Sequence, residues 1–125
     1  MEIGDIKKSE EWFDDTIDFC TSNILLDNDE IILYKIYEEF DTSSWSFLHK
    51  NTLNILLEAN LINNEIYELA VILREKAFLL FQSDIERSVS FVRSSEEWRE
   101  IFRLCDTIKE LKQSHLKDKS ESDKN

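Results

Sequence analysis

The sequence predicts an all-α fold, a single-domain bundle of five or six helices around a central buried helix at about residues 63–82. The chain of 125 residues contains one glycine and no proline, which disfavours β-hairpins because their tight turns rely on glycine. Apolar residues recur instead at helical spacing in successive segments. Asn, Asp or Ser precedes these segments, and such side chains cap the first turn of a helix. A chain of this length forms one domain with a sizeable core.

The first predicted helix extends from the N-cap residue Ser9 to about residue 24, after a short leader at residues 1–8. One side of this helix is apolar and carries Trp12, Phe13, Ile17, Phe19, Cys20 and Ile24. The other side is acidic, without a basic residue among its members, which are Glu10, Glu11, Asp14, Asp15 and Asp18.

The second predicted helix begins at Asp27, which forms a capping-box pattern with Glu30. Its apolar positions follow at helical spacing and are Ile32, Leu33, Ile36, Tyr37 and Phe40. A polar break at residues 41–44 separates it from a third helix at residues 45–59. We expect Asn60 to end that helix in the left-handed conformation that asparagine tolerates.

The fourth predicted helix, at residues 63–82, has the widest apolar pattern in the chain. Asn63 can act as its N-cap, and two glutamates in its first turns complement the helix dipole. Its apolar residues span a sector of about 200°, against the roughly 100° of an ordinary surface helix. We therefore expect this helix to be buried on several sides, with Leu73 near the middle of the apolar sector.

Two further helices are predicted after the central one. Ser83 opens a short helix and Ser94 opens the last one, each with a glutamate three residues further on. The apolar period ends before Gln113. We therefore predict one helical domain at residues 1–112 and a disordered, charged tail at residues 113–125.

Location and cofactor chemistry follow from what the sequence lacks. No apolar run approaches the about 18 residues of a membrane span, and the amino terminus lacks the basic and apolar regions of a signal peptide. We therefore expect a cytoplasmic protein that does not bind membranes.

Cys20 and Cys105 have no neighbouring cysteine or histidine, so we predict two reduced, buried thiols. His49 and His115 have no partners at metal-binding spacing, and we predict no cofactor.

The acidic residues are concentrated in the first third of the chain. Residues 1–41 contain 13 acidic and three basic residues, whereas residues 42–125 contain 14 acidic and 12 basic ones. On the first helix several acids lie four residues apart, which costs a few tenths of a kcal/mol per pair. Local stability does not explain this arrangement. A carboxylate surface attracts a strongly basic partner, and we interpret it as a binding surface.

Aromatic residues near these acids can supply the large contacts that dominate binding energy at protein interfaces. Tyr34, at the edge of the apolar sector of its helix, is the one that we most expect to be exposed. The predicted partner-binding residues are Glu11, Asp14, Asp15, Asp18, Tyr34, Glu38, Glu39, Asp41 and Trp45. The arginines of the chain alternate with acids, so we expect no direct binding of nucleic acid.

In size, acidity and helical content, the chain resembles the immunity proteins that bacteria make against their own secreted toxins. These include the immunity proteins of colicin nucleases and of contact-dependent growth inhibition. The resemblance is one of class over the whole chain and does not rest on a motif. It implies a non-enzymatic inhibitor, a monomer or weak dimer, that binds and neutralises a basic toxin domain such as a nuclease through its acidic helical face.

Two alternatives stay open. Glu10, Glu11 and Asp14, followed by Glu38 and Asp41, are similar to the EExxE and ExxD pairs of the MazG-like all-α nucleotide pyrophosphohydrolases, with Asp14 in place of a glutamate. That resemblance implies carboxylates that hold Mg²⁺ between two helices. The other alternative is a phage-type acidic inhibitor of a host nuclease, whose carboxylates occupy the groove that binds phosphates.

Overall fold

Helices make up the regular secondary structure of the computed structural model, which describes the backbone of residues 3–82 and 87–123 and the side chains of residues 5–82 and 87–117. No strand occurs among these residues, so the predicted all-α fold is confirmed. In chain order the elements are α1 (Ile3–Asp18), a 3-10 helix (Ser22–Leu26), α2 (Asp29–Leu33), a π-helix (Tyr34–Phe40), α3 (Asp41–Phe47), α4 (Lys50–Glu58), α5 (Asn64–Gln82), α6 (Val89–Ser94) and α7 (Glu96–Asp123).

Two features organise these elements. α2, the π-helix and α3 follow one another without a break and form one continuous rod, residues 29–47. With this rod counted once and the short 3-10 helix left out, the described residues form six helices, within the predicted number. α1, α3, α5 and α7 form a ring, because α1 and α5 each pack against both α3 and α7. The core inside the ring includes Phe13, Phe40, Leu73, Trp98 and Phe102.

The first helix begins and ends earlier than the sequence predicts. α1 starts at Ile3, before the predicted cap Ser9, and ends at Asp18. The chain then becomes extended at Thr21 and forms the 3-10 helix. Ile24 of this 3-10 helix is buried in the core. Residues 9–24 are thus two elements, and the predicted single helix is wrong.

The predicted polar break at residues 41–44 is also wrong, because the 29–47 rod runs through it. Ser43 and Ser44 are buried, and the Ser44 hydroxyl donates to the Asp41 carbonyl at 3.3 Å. Packing therefore overrides the low helix propensity of this polar run. The turn comes later, at His49, whose Nδ1 accepts a hydrogen bond from the Asn51 backbone N–H at 3.1 Å.

Two of the predicted helix ends, the start of α5 at Asn63 and the end of α4 at Asn60, are confirmed. The Asn63 side chain accepts from the Ile66 N–H at 2.9 Å, which confirms the predicted start of α5. Asn60 has φ 61°, and the Leu61 N–H donates to the Leu56 carbonyl at 2.9 Å, as in the left-handed helix ends that asparagine permits.

Two other starts differ from the prediction by one residue. Asn28, and not Asp27, caps α2 by accepting from the Ile31 N–H at 3.0 Å. Ser95, and not Ser94, begins α7, since its hydroxyl accepts from the Trp98 N–H. α6 begins after Ser88. The predicted start of that helix, Ser83 with Glu86, lies outside the described residues.

The expected central burial of α5 is not confirmed. Only one stripe of α5 is fully buried, formed by Ile66, Ala70, Leu73 and Ala77. Ile72 is 41% exposed and Leu79 is 68% exposed. The main elements that pack against α5 are α3, α4 and α7. The helix is therefore a wall of the ring, and part of its apolar sector faces solvent.

The last helix extends beyond the predicted domain boundary. The sequence predicts a disordered tail from residue 113, whereas α7 continues to Asp123. Two contacts near the boundary hold this part of the helix to the body. Lys112 forms ion pairs with α1, and a ring nitrogen of His115 lies 2.9 Å from the Asn60 carbonyl oxygen.

The partial burial of α5 gives a direct test by substitution. We expect Leu73→Ala to lower the free energy of unfolding by about 2–5 kcal/mol, because Leu73 is fully buried and the substitution leaves a cavity. The neighbouring Ile72→Ala is the matched control and should cost less than about 1 kcal/mol. Urea denaturation measures both. Equal losses would contradict the description of α5 as a wall helix.

Candidate functional site

The outward side of the 29–47 rod carries one exposed stripe, which we call the outer ridge. Its members are spaced by three or four residues, which places them on one side of a helix, and they are Ile31, Tyr34, Glu38, Thr42 and Trp45. Tyr34 is 51% exposed and Trp45 is 54% exposed. Large aromatic side chains with this exposure are candidates for contacts with another molecule.

The π-helix explains how the rod keeps this stripe facing outward. The buried residues of the 29–47 rod and Leu48, which follows it, include one at every fourth position. They are Ile32, Ile36, Phe40, Ser44 and Leu48, with Ser43 buried beside Ser44. In a regular α-helix a strict four-residue repeat drifts around the axis, since one turn takes about 3.6 residues. The wider π turn contains more residues and offsets this drift. The inner stripe therefore stays in the core and the outer ridge stays in solvent.

A hydrogen bond across one π turn positions Tyr34 on the outer ridge. Its hydroxyl donates to Glu39 Oε1 at 2.5 Å. This hydrogen bond to the carboxylate raises the pKa of the Tyr34 hydroxyl, because a charge beside it disfavours the phenolate. The Tyr34 ring remains exposed, and the Glu39 carboxylate accepts the hydrogen bond of its hydroxyl.

A second exposed group lies on α1 beside α3, and we call it the α1 edge. It consists of Glu11, Trp12 and Asp15, all exposed. Trp12 is 45% exposed and stacks on Phe47 of α3, with ring centroids 5.0 Å apart. Glu11 and Asp15 form no ion pair with any other residue whose side chain the structure describes. The α1 edge therefore combines a supported aromatic ring with two available carboxylates.

Trp12 is exposed although the sequence places it on the apolar side of the first helix and not among the predicted binding residues. The available signal was its position at the border of the apolar sector of α1, next to Asp15. A border residue becomes buried or exposed according to the neighbouring helix. Here α3 covers one face of the indole with Phe47 and leaves the rest in solvent.

Trp45, at the other end of the outer ridge, is held against α5. Its ring stacks on Phe78 with centroids 5.0 Å apart, and the Arg74 guanidinium lies 4.2 Å from its ring centroid. A cleft of about 260 Å³ lies beside these residues. Asp41 faces the same cleft and pairs with Arg87 at 3.2 Å, so this predicted acid is neutralised within the chain.

The other acids of α1 form ion pairs with α7. Lys112 Nζ lies 3.0 Å from Glu10 Oε2 and 2.8 Å from Asp14 Oδ1, and Lys109 Nζ lies 2.9 Å from Asp18 Oδ1. From Ser9 onward α1 has no basic residue, and the neighbouring helix α7 supplies the lysines that pair with these acids. Asp14 and Asp18 are therefore structural contacts as well as predicted binding residues, and Glu11 and Asp15 form the exposed row.

The Lys112 cluster is unusual because the lysine is only 5% exposed. Burial raises the pKa of the Asp14 carboxyl, and the attraction of Lys112 opposes this without cancelling it. The loss of hydration thus outweighs the ion pair for Asp14. We conclude that the cluster fixes the position of α1 against α7 and adds little net stability through Asp14.

The magnesium set implied by the pyrophosphohydrolase resemblance is not assembled within the described part of the chain. Glu10 and Asp14 contact Lys112, and Asp41 contacts Arg87. Among the described residues, no group of three or more Asp, Glu, His or Cys side chains could hold a metal ion.

Comparison with known proteins provides no assignment. No family model, no curated protein and no solved structure matches this chain. No helix formed by the described residues has both the length and the apolar composition of a membrane span.

The Lys112 cluster can be tested by removing its charges separately and together. Lys112→Met should lower the free energy of unfolding by about 1–3 kcal/mol, because it leaves two half-buried carboxylates without their cation. The triple variant Glu10→Gln, Asp14→Asn, Lys112→Met should recover most of this loss. Urea denaturation provides the comparison. A triple variant as unstable as the single one would show that the lysine acts through packing alone.

The raised pKa of Asp14 predicts a pH dependence with a defined sign. A carboxyl group with a raised pKa keeps its proton to higher pH in the folded state than in the unfolded state. Its stabilising contribution is complete below its ordinary value of 3.8 and is lost as the pH rises through the folded pKa. The stability of the wild type relative to Asp14→Asn should therefore fall as the pH rises above 3.8. Denaturation at several pH values measures the difference, and a relative rise would contradict the assignment.

Proposed function

We propose that this chain is an inhibitor of the immunity type, which binds and neutralises a basic toxin domain through the α1 edge and the outer ridge. One observation carries the proposal: Trp12 is exposed, is supported from beneath by Phe47, and lies between two carboxylates without ion-pair partners among the described residues. An exposed, supported tryptophan next to such carboxylates can serve as the main contact with a basic partner.

The aromatic residues provide the affinity in this proposal. Interface energy is concentrated in a few large side chains, of which tryptophan and tyrosine are the most frequent. Trp12 and Trp45 are already stacked on Phe47 and Phe78, and Tyr34 is held by Glu39. Side chains that are ordered before binding lose less conformational entropy when the partner arrives.

The carboxylates provide attraction for a basic partner. The chain has a formal net charge of −12, and the internal ion pairs leave Glu11, Asp15 and Glu38 as the acids available at this surface. Such charges increase the rate of encounter with a partner of opposite sign. A nuclease domain fits this description, because its substrate groove is basic in order to bind phosphates.

A growth experiment tests the proposal directly. The partner to use is the carboxy-terminal domain of a large secreted protein encoded next to this chain, expressed inside a bacterial host. We expect the chain to restore growth of the host, and we expect Trp12→Ala to restore it poorly because the anchor is lost. Leu79→Ala, which removes an exposed apolar side chain elsewhere, is the matched control. Failure of the wild-type chain to restore growth would reject this partner, and full rescue by Trp12→Ala would reject the surface.

Binding kinetics separate the role of charge from the role of the aromatic rings. The double variant Glu11→Gln, Asp15→Asn should slow association with the toxin domain at low salt and flatten its salt dependence, because exposed charges act on the encounter. Trp12→Ala or Trp45→Ala should instead speed dissociation, at a cost of about 2 kcal/mol or more.

The control for the charge variant is Asp18→Asn, which changes an acid that is paired with Lys109. It should slow association less than the double variant does. Surface plasmon resonance at two salt concentrations measures all the rates. If the double variant associates at the wild-type rate at low salt, the α1 edge is only a solvated surface.

A further inference from the structure

Cys20 and Cys105 meet in the core, where the chain leaves α1 and passes α7. Both thiols are free and both side chains are fully buried. Cys105 lies near enough to the Cys20 thiol to contribute to its raised pKa. A contact beside them brings the same two segments together, since the Ser22 N–H donates to Asp106 Oδ1 at 3.0 Å. The 3-10 helix that begins at Ser22 also packs against α7.

We propose that Cys20 and Cys105 form a disulfide when the chain is exposed to an oxidant, as a site of covalent modification that joins the end of α1 to α7. A single buried cysteine requires no explanation, because it packs as a small apolar side chain. Here two cysteines from distant parts of the sequence are buried in the same core, and the hydrogen bond from Ser22 to Asp106 holds their segments together. This places them where a disulfide, which needs close approach of the two residues, can form.

The surroundings of the pair keep it reduced while the fold is closed. Burial raises the pKa of the Cys20 thiol well above its usual range, and the neighbouring Cys105 adds to this effect. Since the thiolate is the form that attacks a disulfide, reaction requires local opening. The 3-10 helix is the short element next to the pair, and its bond from Ser22 to Asp106 is exposed at the surface. Separation of this helix from α7 gives an oxidant access to Cys20.

The oxidant is a small disulfide such as oxidised glutathione. The Cys20 thiolate attacks one sulfur of that disulfide and releases one glutathione thiolate, which takes up a proton. The Cys105 thiolate then attacks the Cys20 sulfur of the mixed disulfide and releases the second glutathione. The protein loses two protons and two electrons, and the small disulfide takes them up to become two thiols.

Oxidation of the wild-type chain tests the proposal. The protein is incubated with oxidised glutathione in buffer with a low urea concentration, below the unfolding transition. We expect a monomer with a mass lower by two hydrogen atoms, no titratable thiol after denaturation, and a higher midpoint of urea unfolding. Dithiothreitol should reverse all three changes. A chain that keeps both thiols, carries glutathione on each cysteine, or forms a cross-linked dimer would overturn the proposal.

The role of the 3-10 helix is tested by the rate of the same reaction. Asp106→Ala removes the acceptor of the Ser22 bond and should speed disulfide formation by about two- to tenfold, the range that corresponds to one hydrogen bond. Glu110→Ala, an exposed substitution on the same helix, is the control and should leave the rate unchanged. Equal rates for Asp106→Ala and the wild type would refute this opening as the controlling step. Neither result depends on the toxin partner, so failure here is distinct from failure of the inhibitor proposal.

Discussion

The packing of α7 against both α1 and α5 determines which side chains of the bundle face solvent. On the α1 side it brings Lys109 and Lys112 to Asp18, Glu10 and Asp14. This contact divides the acids of α1 into a row that is paired inside the chain and a row, Glu11 and Asp15, that is not. The acidic character of the exposed surface is thus a product of helix packing as much as of composition.

The same contact rotates α1 so that Trp12 lies at the border with α3. Phe47 covers one side of the indole there, and α3 continues into the outer ridge with Tyr34 and Trp45. The exposed aromatic residues and the unpaired acids therefore come from neighbouring elements. The binding surface therefore depends on the packing of α7, although α7 contributes no residue to it.

Features that depend on a few consecutive residues could be predicted from the sequence. The caps at Asn60 and Asn63 follow from side-chain chemistry within one turn, and the buried thiols follow from their place in an apolar pattern. The exposed position of Tyr34, at the edge of an apolar sector, was predicted on the same grounds. In each case the interactions that decide the structure lie within a few neighbouring residues of the sequence.

Features that depend on the neighbouring helix could not be predicted in this way. The wide apolar sector of α5 predicts burial on several sides, but the ring arrangement decides how many helices pack against it. Lys112 cannot be recognised as a partner of Asp14 from either helix alone. The polar run at residues 41–44 is helical because Ser43 and Ser44 close the inner stripe. The apolar period of a sequence describes a single helix, whereas these features depend on how two helices pack together.

The π-helix makes the length of the 29–47 rod as important as its composition. Loss of one residue between Tyr34 and Phe40 can convert the wide turn into an ordinary α turn and leave α3 in its orientation relative to α2, because the π turn holds one residue more than an α turn. Loss of one residue from α3 ahead of Trp45 would instead rotate the rest of that helix by about 100°. Trp45 would then leave Phe78, although every side chain that contacts it was still present. Single-residue deletions should therefore be tolerated within the π-helix and not in the α-helical part that follows it.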